Sequence, residues 1–261
     1  MVGSKELWRY KMANENKFPS EVIDLPSKGK LYSKDSSLAS GKLEIKYMTA
    51  REEDILTSQN LIKKGVVIDR LLDSLIMTEG VNSGDLIVGD KNAVMVAARI
   101  LAYGPEYNVE VTLPNSGEKV TRNFNLADCP FKKLPNDVDY SNNEFEITLP
   151  ASKTKITFKL LNGVDELNIA KEIKASQKLG TSTEMTTRFR YLITSVNGKK
   201  DQSVISNFAS DILSRDSLFL RQEINRISPD IELLQEIDVG GEMVEVDIPL
   251  TIDFFWPKTT S

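Results

Sequence analysis

Histidine is absent from this chain of 261 residues. Its absence excludes Ser–His–Asp and Cys–His catalysis, His-ligated zinc or non-haem iron, and the commonest proton shuttle and pH switch. Cysteine occurs once, at Cys129, so no intrachain disulfide can form, and a reducing compartment is expected. No run of about 18 apolar residues occurs, so no membrane span is expected. The longest apolar stretches, Val66–Ile68 and Ile248–Trp256, are short or broken by polar groups. Positive charge is in deficit: 33 Lys and Arg stand against 38 Asp and Glu, for a net charge of −5. Bulk attraction to nucleic acid or to an anionic membrane is not expected. The glycine-rich phosphate loops Gly-x-x-x-x-Gly-Lys-Ser/Thr and Gly-x-Gly-x-x-Gly are both missing. Met1–Lys11 carries Lys5, Arg9 and Lys11 but no apolar block, so export is not expected, and Met12-Ala13-Asn14 offers a second start.

What is present suits a soluble globular chain. Hydrophobic residues make up 40% and charged residues 27%, enough for one or two compact domains. Residues 1–42 read as an extended arm with little regular structure, punctuated by Pro19, Pro26, Gly29 and Gly41. Residues 43–106 read as a first helical part after a short strand, Lys42–Met48. Thr49 and Glu52 form a capping box for a helix to about Lys64, stopped by Gly65. Val66–Met77 continues with Ile68, Leu71, Leu72, Leu75 and Ile76 on one face. Asp90 is expected to cap a helix over Lys91–Tyr103, ended by Gly104-Pro105.

Residues 107–162 read as β-hairpins. Tyr107–Leu113 and Glu118–Leu126 flank one turn, and Glu144–Leu149 and Thr154–Leu161 flank another. Residues 163–230 return to helix. Asp165 is expected to cap Glu166–Lys178, Thr183 or Thr186 to start the next helix, and Ser203–Leu213 and Ser217–Ile227 to follow before Pro229. Residues 231–261 hold a last β segment, Met243–Phe254, with an aromatic tail. Blocks of helices and strands, not strict alternation, point to an α+β fold.

Little in this pattern carries chemistry. Ser-x-x-Lys occurs at Ser27, Ser116 and Ser152 without the partner motifs of the penicillin-recognising enzymes. Glu52, Glu53 and Asp54 sit in a first helical turn, where acids favour the positive helix end. Asp69 and Asp73 have chelating spacing but read as a solvated helix face. Cys129 reads as an inert thiol. Arg99, among Ala97, Ala98, Ile100 and Leu101, is expected to snorkel, to pair with a carboxylate, or to anchor a partner. Strand alternation would put Phe254 and Trp256 on one face and Phe255 on the other. A closing core strand and an aromatic anchor for a partner both remain open. No catalytic, cofactor-binding or metal-ligating residue is nominated.

Four stretches together resemble the T-even-type phage baseplate hub subunit and hub assembly catalyst family. They are Leu25-Pro26-Ser27-Lys28-Gly29-Lys30-Leu31-Tyr32, Met48–Leu56, Asp85–Tyr107, and the ending Ile248-Pro249-Leu250 with Phe254-Phe255-Trp256-Pro257. The resemblance spans residues 19 to 257. It departs at the first hairpin turn, where relatives carry a Cys-Pro-x-Cys-Gly zinc knuckle and this chain has Leu113-Pro114-Asn115-Ser116-Gly117. A second knuckle would fall near Val239-Gly240-Gly241, also without cysteine. One thiol and no imidazole cannot supply the four zinc ligands, so the turns are knuckle-like in place only and no cofactor is expected.

The resemblance implies assembly work in the hub of a contractile-tail baseplate, either as a hub subunit or as a chaperone-like factor absent from the finished particle. It implies other baseplate hub proteins as partners, with a homo-oligomer also open, in the host cytoplasm during assembly and then in the virion. Contacts with them are expected at Leu25, Pro26, Lys28, Leu31, Tyr32, Arg99, Tyr103, Phe254, Phe255, Trp256 and Pro257. A carboxylate-based hydrolase is the competing enzymatic reading. It requires paired acids of perturbed pKa in one cleft.

Overall fold

A computed structural model describes residues 19–239 and 241–256. Among them, nine strands and eight α-helices form an α+β fold whose sheets hold only two or three antiparallel strands each. Strand β1 (Ser20–Asp24) pairs with β2 (Lys42–Lys46), and helices α1 (Ala50–Thr57), α2 (Gln59–Lys64), α3 (Val67–Leu75) and α4 (Val88–Tyr103) follow. The hairpin β3 (Glu106–Thr112) with β4 (Lys119–Asn125) comes next. Strands β5 (Phe145–Thr148), β6 (Lys155–Phe158) and β7 (Ile193–Val196) make the three-stranded sheet. Helix α5 (Gly163–Lys178) packs on α6 (Glu184–Leu192), α6 and α7 (Gln202–Asp211) pack on β7, and α8 (Ser214–Ile227) joins them through a shared core. The hairpin of β8 (Leu234–Val239) and β9 (Glu242–Asp247) closes the described chain.

Two hydrophobic cores organise these elements. The first joins Leu25, Leu38 and the buried face of α3 to Val94 and Ala98 of α4, and to Ile237, Val246, Phe254 and Phe255 near the end of the chain. The second gathers Phe145, Ile156, Phe158, Phe189, Ile205 and Leu220. Residues 231–255 therefore complete the first core across about a hundred residues that build the second. The apolar stripe of α3 explains its role: Leu71, Leu72 and Leu75 are all fully buried.

Several local expectations change. The proline- and glycine-marked stretch holds a paired strand, β1, and buries Leu25 and Leu38, because tertiary contacts order a segment of weak intrinsic preference. Residues 1–18 lie outside the described residues. The helix expected over 50–64 breaks at Ser58, which has extended dihedrals (φ −67°, ψ 102°). Asp90 does not cap its helix. Ile87 holds the cap position, and Asp90 lies within the first turn, fully buried. Asn162, not Asp165, caps α5; Asp165 is the reciprocal partner of that capping box. Strands β7 and β8 were not foreseen. The last β segment ends at Asp247, and Ile252–Phe255 form a short 3₁₀ turn instead of a strand. Strand alternation therefore fails there: Phe254 and Phe255 are both fully buried, and Trp256 is 37% exposed. The capping box of Thr49 and Glu52 is present, with Glu52 accepting from the Thr49 N–H at 2.8 Å.

Candidate functional site

The loop Leu25–Tyr32 is built by backbone sterics. Lys28 and Gly29 have positive φ (53° and 75°), and a Cβ on Gly29 would lie 2.3 Å from the Ala39 carbonyl oxygen. Only glycine permits that approach. The Leu25 N–H donates to the Gly41 carbonyl at 2.8 Å and closes the loop onto the next segment. Ser27 is thereby turned inward, against the first turn of α4.

There it meets Asp90. The Ser27 N–H donates to Asp90 Oδ1 at 2.8 Å, and the Ser27 hydroxyl donates to Oδ2 at 2.6 Å. The Tyr32 hydroxyl donates to the same Oδ2 at 2.6 Å and accepts from the Ile87 N–H at 3.0 Å. Burial pushes the Asp90 carboxyl above its usual range, against the opposing pull of the Ser27 and Tyr32 hydrogen bonds. Asp230 adds a same-sign push. Burial and the adjacent Asp90 keep the Tyr32 phenol protonated. The arrangement is a polar latch that ties the Leu25–Tyr32 loop to the first turn of α4.

Asp230 stands beside an open cleft. The cleft, of about 330 Å³, has an apolar wall of Ile87, Val88, Leu160, Leu161, Leu192 and Ile224, with Glu166, Arg188 and Arg221 also lining it. Asn92 Nδ2 and the Ile231 N–H donate to Asp230 at 3.1 and 2.9 Å. Burial raises the Asp230 pKa. The second carboxylate of this cleft, Glu166, is bound to Arg188 at 2.7 Å. The buried Asp90 carboxylate is committed to Ser27 and Tyr32, and Asp230 also lines a second open cleft, of about 650 Å³, with Glu232 and Asp247.

Arg99 forms the other polar centre. It is 3% exposed, and no carboxylate pairs with it among the described residues. Its Nε donates to the Phe254 carbonyl at 3.0 Å, and its Nη atoms donate to the Gly104 and Glu106 carbonyls at 3.3 Å each. The guanidinium lies over the rings of Tyr103 (5.0 Å) and Tyr107 (5.6 Å). Tyr107 in turn meets Phe254 edge-on at 4.9 Å. Of the roles open to Arg99, the structure shows an internal one in which carbonyls and ring faces stand where a carboxylate could have paired, and these need no second buried charge.

The nominated residues divide by depth. Leu25, Pro26, Leu31, Arg99, Phe254 and Phe255 are buried; Tyr32 and Tyr103 are half-buried; Lys28 and Trp256 are exposed. Pro257 lies outside the described residues. The structure brings Arg99, Tyr103 and Phe254 into one cluster and Leu25, Pro26, Leu31 and Tyr32 into the loop on α4. Sequence reasoning missed Asp90 and Ser27 as partners. The one available signal was a charged residue flanked by the apolar runs of Asp85–Ala98. Asp69 binds Lys91 and Asp73 accepts from Ser83 at 2.7 Å, so their helical spacing serves structural contacts. Among the described residues no cluster of three or more Cys, Asp or Glu is arranged to hold a metal. The turn at Leu113–Gly117 closes by the Gly117 N–H on the Leu113 carbonyl at 2.9 Å.

The family model described as T4 bacteriophage base plate protein matches residues 19–213, more than half of the chain. The match begins one residue before β1 and ends at Leu213, the residue that caps α8. No curated protein and no solved structure matches the chain.

Proposed function

This chain belongs to the T4 bacteriophage base plate protein family, and we propose that it is a non-enzymatic component of the central hub of a contractile-tail baseplate. It acts in hub assembly through protein–protein contacts, in the host cytoplasm and then in the tail of the virion. The observation that carries the reading is the family match, which covers the described fold up to Leu213 and leaves out α8, the β8–β9 hairpin and the last 3₁₀ turn. The latch on Asp90 supports it: the polar groups of the Leu25–Tyr32 motif satisfy one another inside the chain and stiffen a framework. Work of this kind falls to the surface, by shape and charge.

We assign partner contact to Lys28, Tyr32, Tyr103, Trp256 and Pro257, with Leu25, Pro26, Leu31, Arg99, Phe254 and Phe255 shaping the surface from beneath. Quantitative mass spectrometry of purified particles beside infected-cell lysate tests the reading. Stoichiometric peptides in the particle make the chain a hub subunit. Peptides abundant in lysate and missing from the particle make it the alternative, a transient assembly factor. Failure of the chain to associate with any co-expressed baseplate protein would refute both.

A further inference from the structure

We infer that the outer face of α5, together with the end of α2, is a docking surface for an acidic protein segment that also bears apolar side chains. Lys171, Lys174 and Lys178 fall at i, i+3 and i+7 of α5, on one face about 10 Å long by helical rise. Lys63 and Lys64 end α2, and Lys174 Nζ donates to the Lys63 carbonyl at 3.1 Å, which joins the two groups. All five lysines are exposed.

The acids of α5 do not neutralise this face. Asp165 holds Lys159, Glu166 holds Arg188, and Glu172 accepts from Arg190 and the Tyr191 hydroxyl. Seven other lysines have a carboxylate within 4 Å: Lys42, Lys46, Lys91, Lys119, Lys155, Lys159 and Lys200. None of these five does among the described residues. The helix dipole favours a cation in the last turn and so accounts for Lys178, but not for Lys171, which lies further back. The patch stands out in a chain of net −5.

The partner class follows from the neighbours of these lysines. Ile62, beside Lys63, is 37% exposed, and Leu179, beside Lys178, is 81% exposed. Exposed aliphatic side chains among cations suit a protein surface with acids and apolar groups. Nucleic acid would instead call for aromatic stacking platforms, and α2 and α5 carry no aromatic residue. None of this depends on the baseplate reading, so either can fail alone.

The test is fluorescence anisotropy of the full chain with a labelled peptide of glutamates interspersed with leucines. Three proteins are compared: the unaltered chain, Lys171→Gln/Lys174→Gln/Lys178→Gln, and a control with Lys34→Gln/Lys133→Gln/Lys199→Gln. Circular dichroism establishes that all three are folded. The expected result is salt-sensitive binding that weakens at least about tenfold in the α5 variant and is retained by the control. Absence of binding, or equal binding by the two variants, overturns the inference. It is also overturned if these lysines instead govern binding to oligothymidylate or to phosphatidylserine vesicles, or concentration-dependent self-association.

Discussion

The Nε of Arg99 donates to the backbone carbonyl of Phe254 at 3.0 Å across 155 positions of sequence. One buried cation thereby ties α4 to the end of the described chain, and the Gly104 and Glu106 carbonyls share it. Arg99→Ala strands three carbonyls and opens a void beneath two tyrosine rings. It should lower unfolding stability by about 3 kcal/mol in urea titrations. Arg99→Lys should recover only part of that, since an ammonium lacks the planar fork that reaches three acceptors.

Phe254→Ala is expected to cost about 3–5 kcal/mol, the range for a fully buried aromatic truncated in a packed core. Trp256→Ala, at a side chain 37% exposed, should cost clearly less than Phe254→Ala. A large fall in melting temperature for Trp256→Ala would place Trp256 in the core after all.

Gly89 packs directly on the chain after α8: a Cβ there would come within 1.7 Å of the Pro229 carbonyl oxygen. Gly89→Ala should therefore destabilise by about 3 kcal/mol through backbone displacement. Gly65→Ala is the comparison. That glycine has φ 73° but open space around it, so only the left-handed conformation is penalised, at about 1–2 kcal/mol. Equal losses in the two variants would refute the close contact.

Asp216, buried in the first turn of α8, accepts the Ala151 and Ser152 N–H groups at 2.7 and 2.9 Å and so holds the β5–β6 turn. Burial raises its pKa, but these hydrogen bonds outweigh it and leave the carboxyl below its usual range. An unfolded Asp titrates at about 4, so the stabilisation is complete above that pH and is lost as pH falls through the lower folded value. Asp216→Ala should cost about 2 kcal/mol at neutral pH, and the gap to the unaltered chain should close on acidification. A gap independent of pH would show that the ionised form is not what holds the turn.

Burial, reinforced by Asp128, pushes the Cys129 thiol up, which lowers its thiolate fraction at neutral pH. Alkylation with iodoacetamide should be several-fold slower in the native chain than in denaturant. A native rate equal to the unfolded rate would contradict its half-buried setting.

Much of the fold was legible because it is local. The capping box at Thr49–Glu52, the apolar stripe on α3, the stop at Gly104-Pro105 and the hairpin turn near Gly117 each depend on neighbours within a few residues. Elements held from a distance were misread or missed. Strand β1 exists through its pairing with Lys42–Lys46, and β7 through its pairing with β6. Asp90 read as a cap because a carboxylate ahead of an apolar helix has that local meaning. Its actual partners, Ser27 and Tyr32, lie 63 and 58 positions away.

By itself the sequence determined which chemistry is closed to the chain, the α+β class, most helix and hairpin positions, and the resemblance to baseplate proteins. All of these follow from residue type and short-range spacing. Only the tertiary structure decided that Phe254 and Phe255 are both core, that Arg99 is satisfied by carbonyls and rings, and that Lys174 of α5 reaches the Lys63 carbonyl at the end of α2. Those outcomes depend on which distant groups fold together. Burial is favourable only where packing and hydrogen bonds from remote segments close around a side chain, and spacing along the chain does not encode that closure.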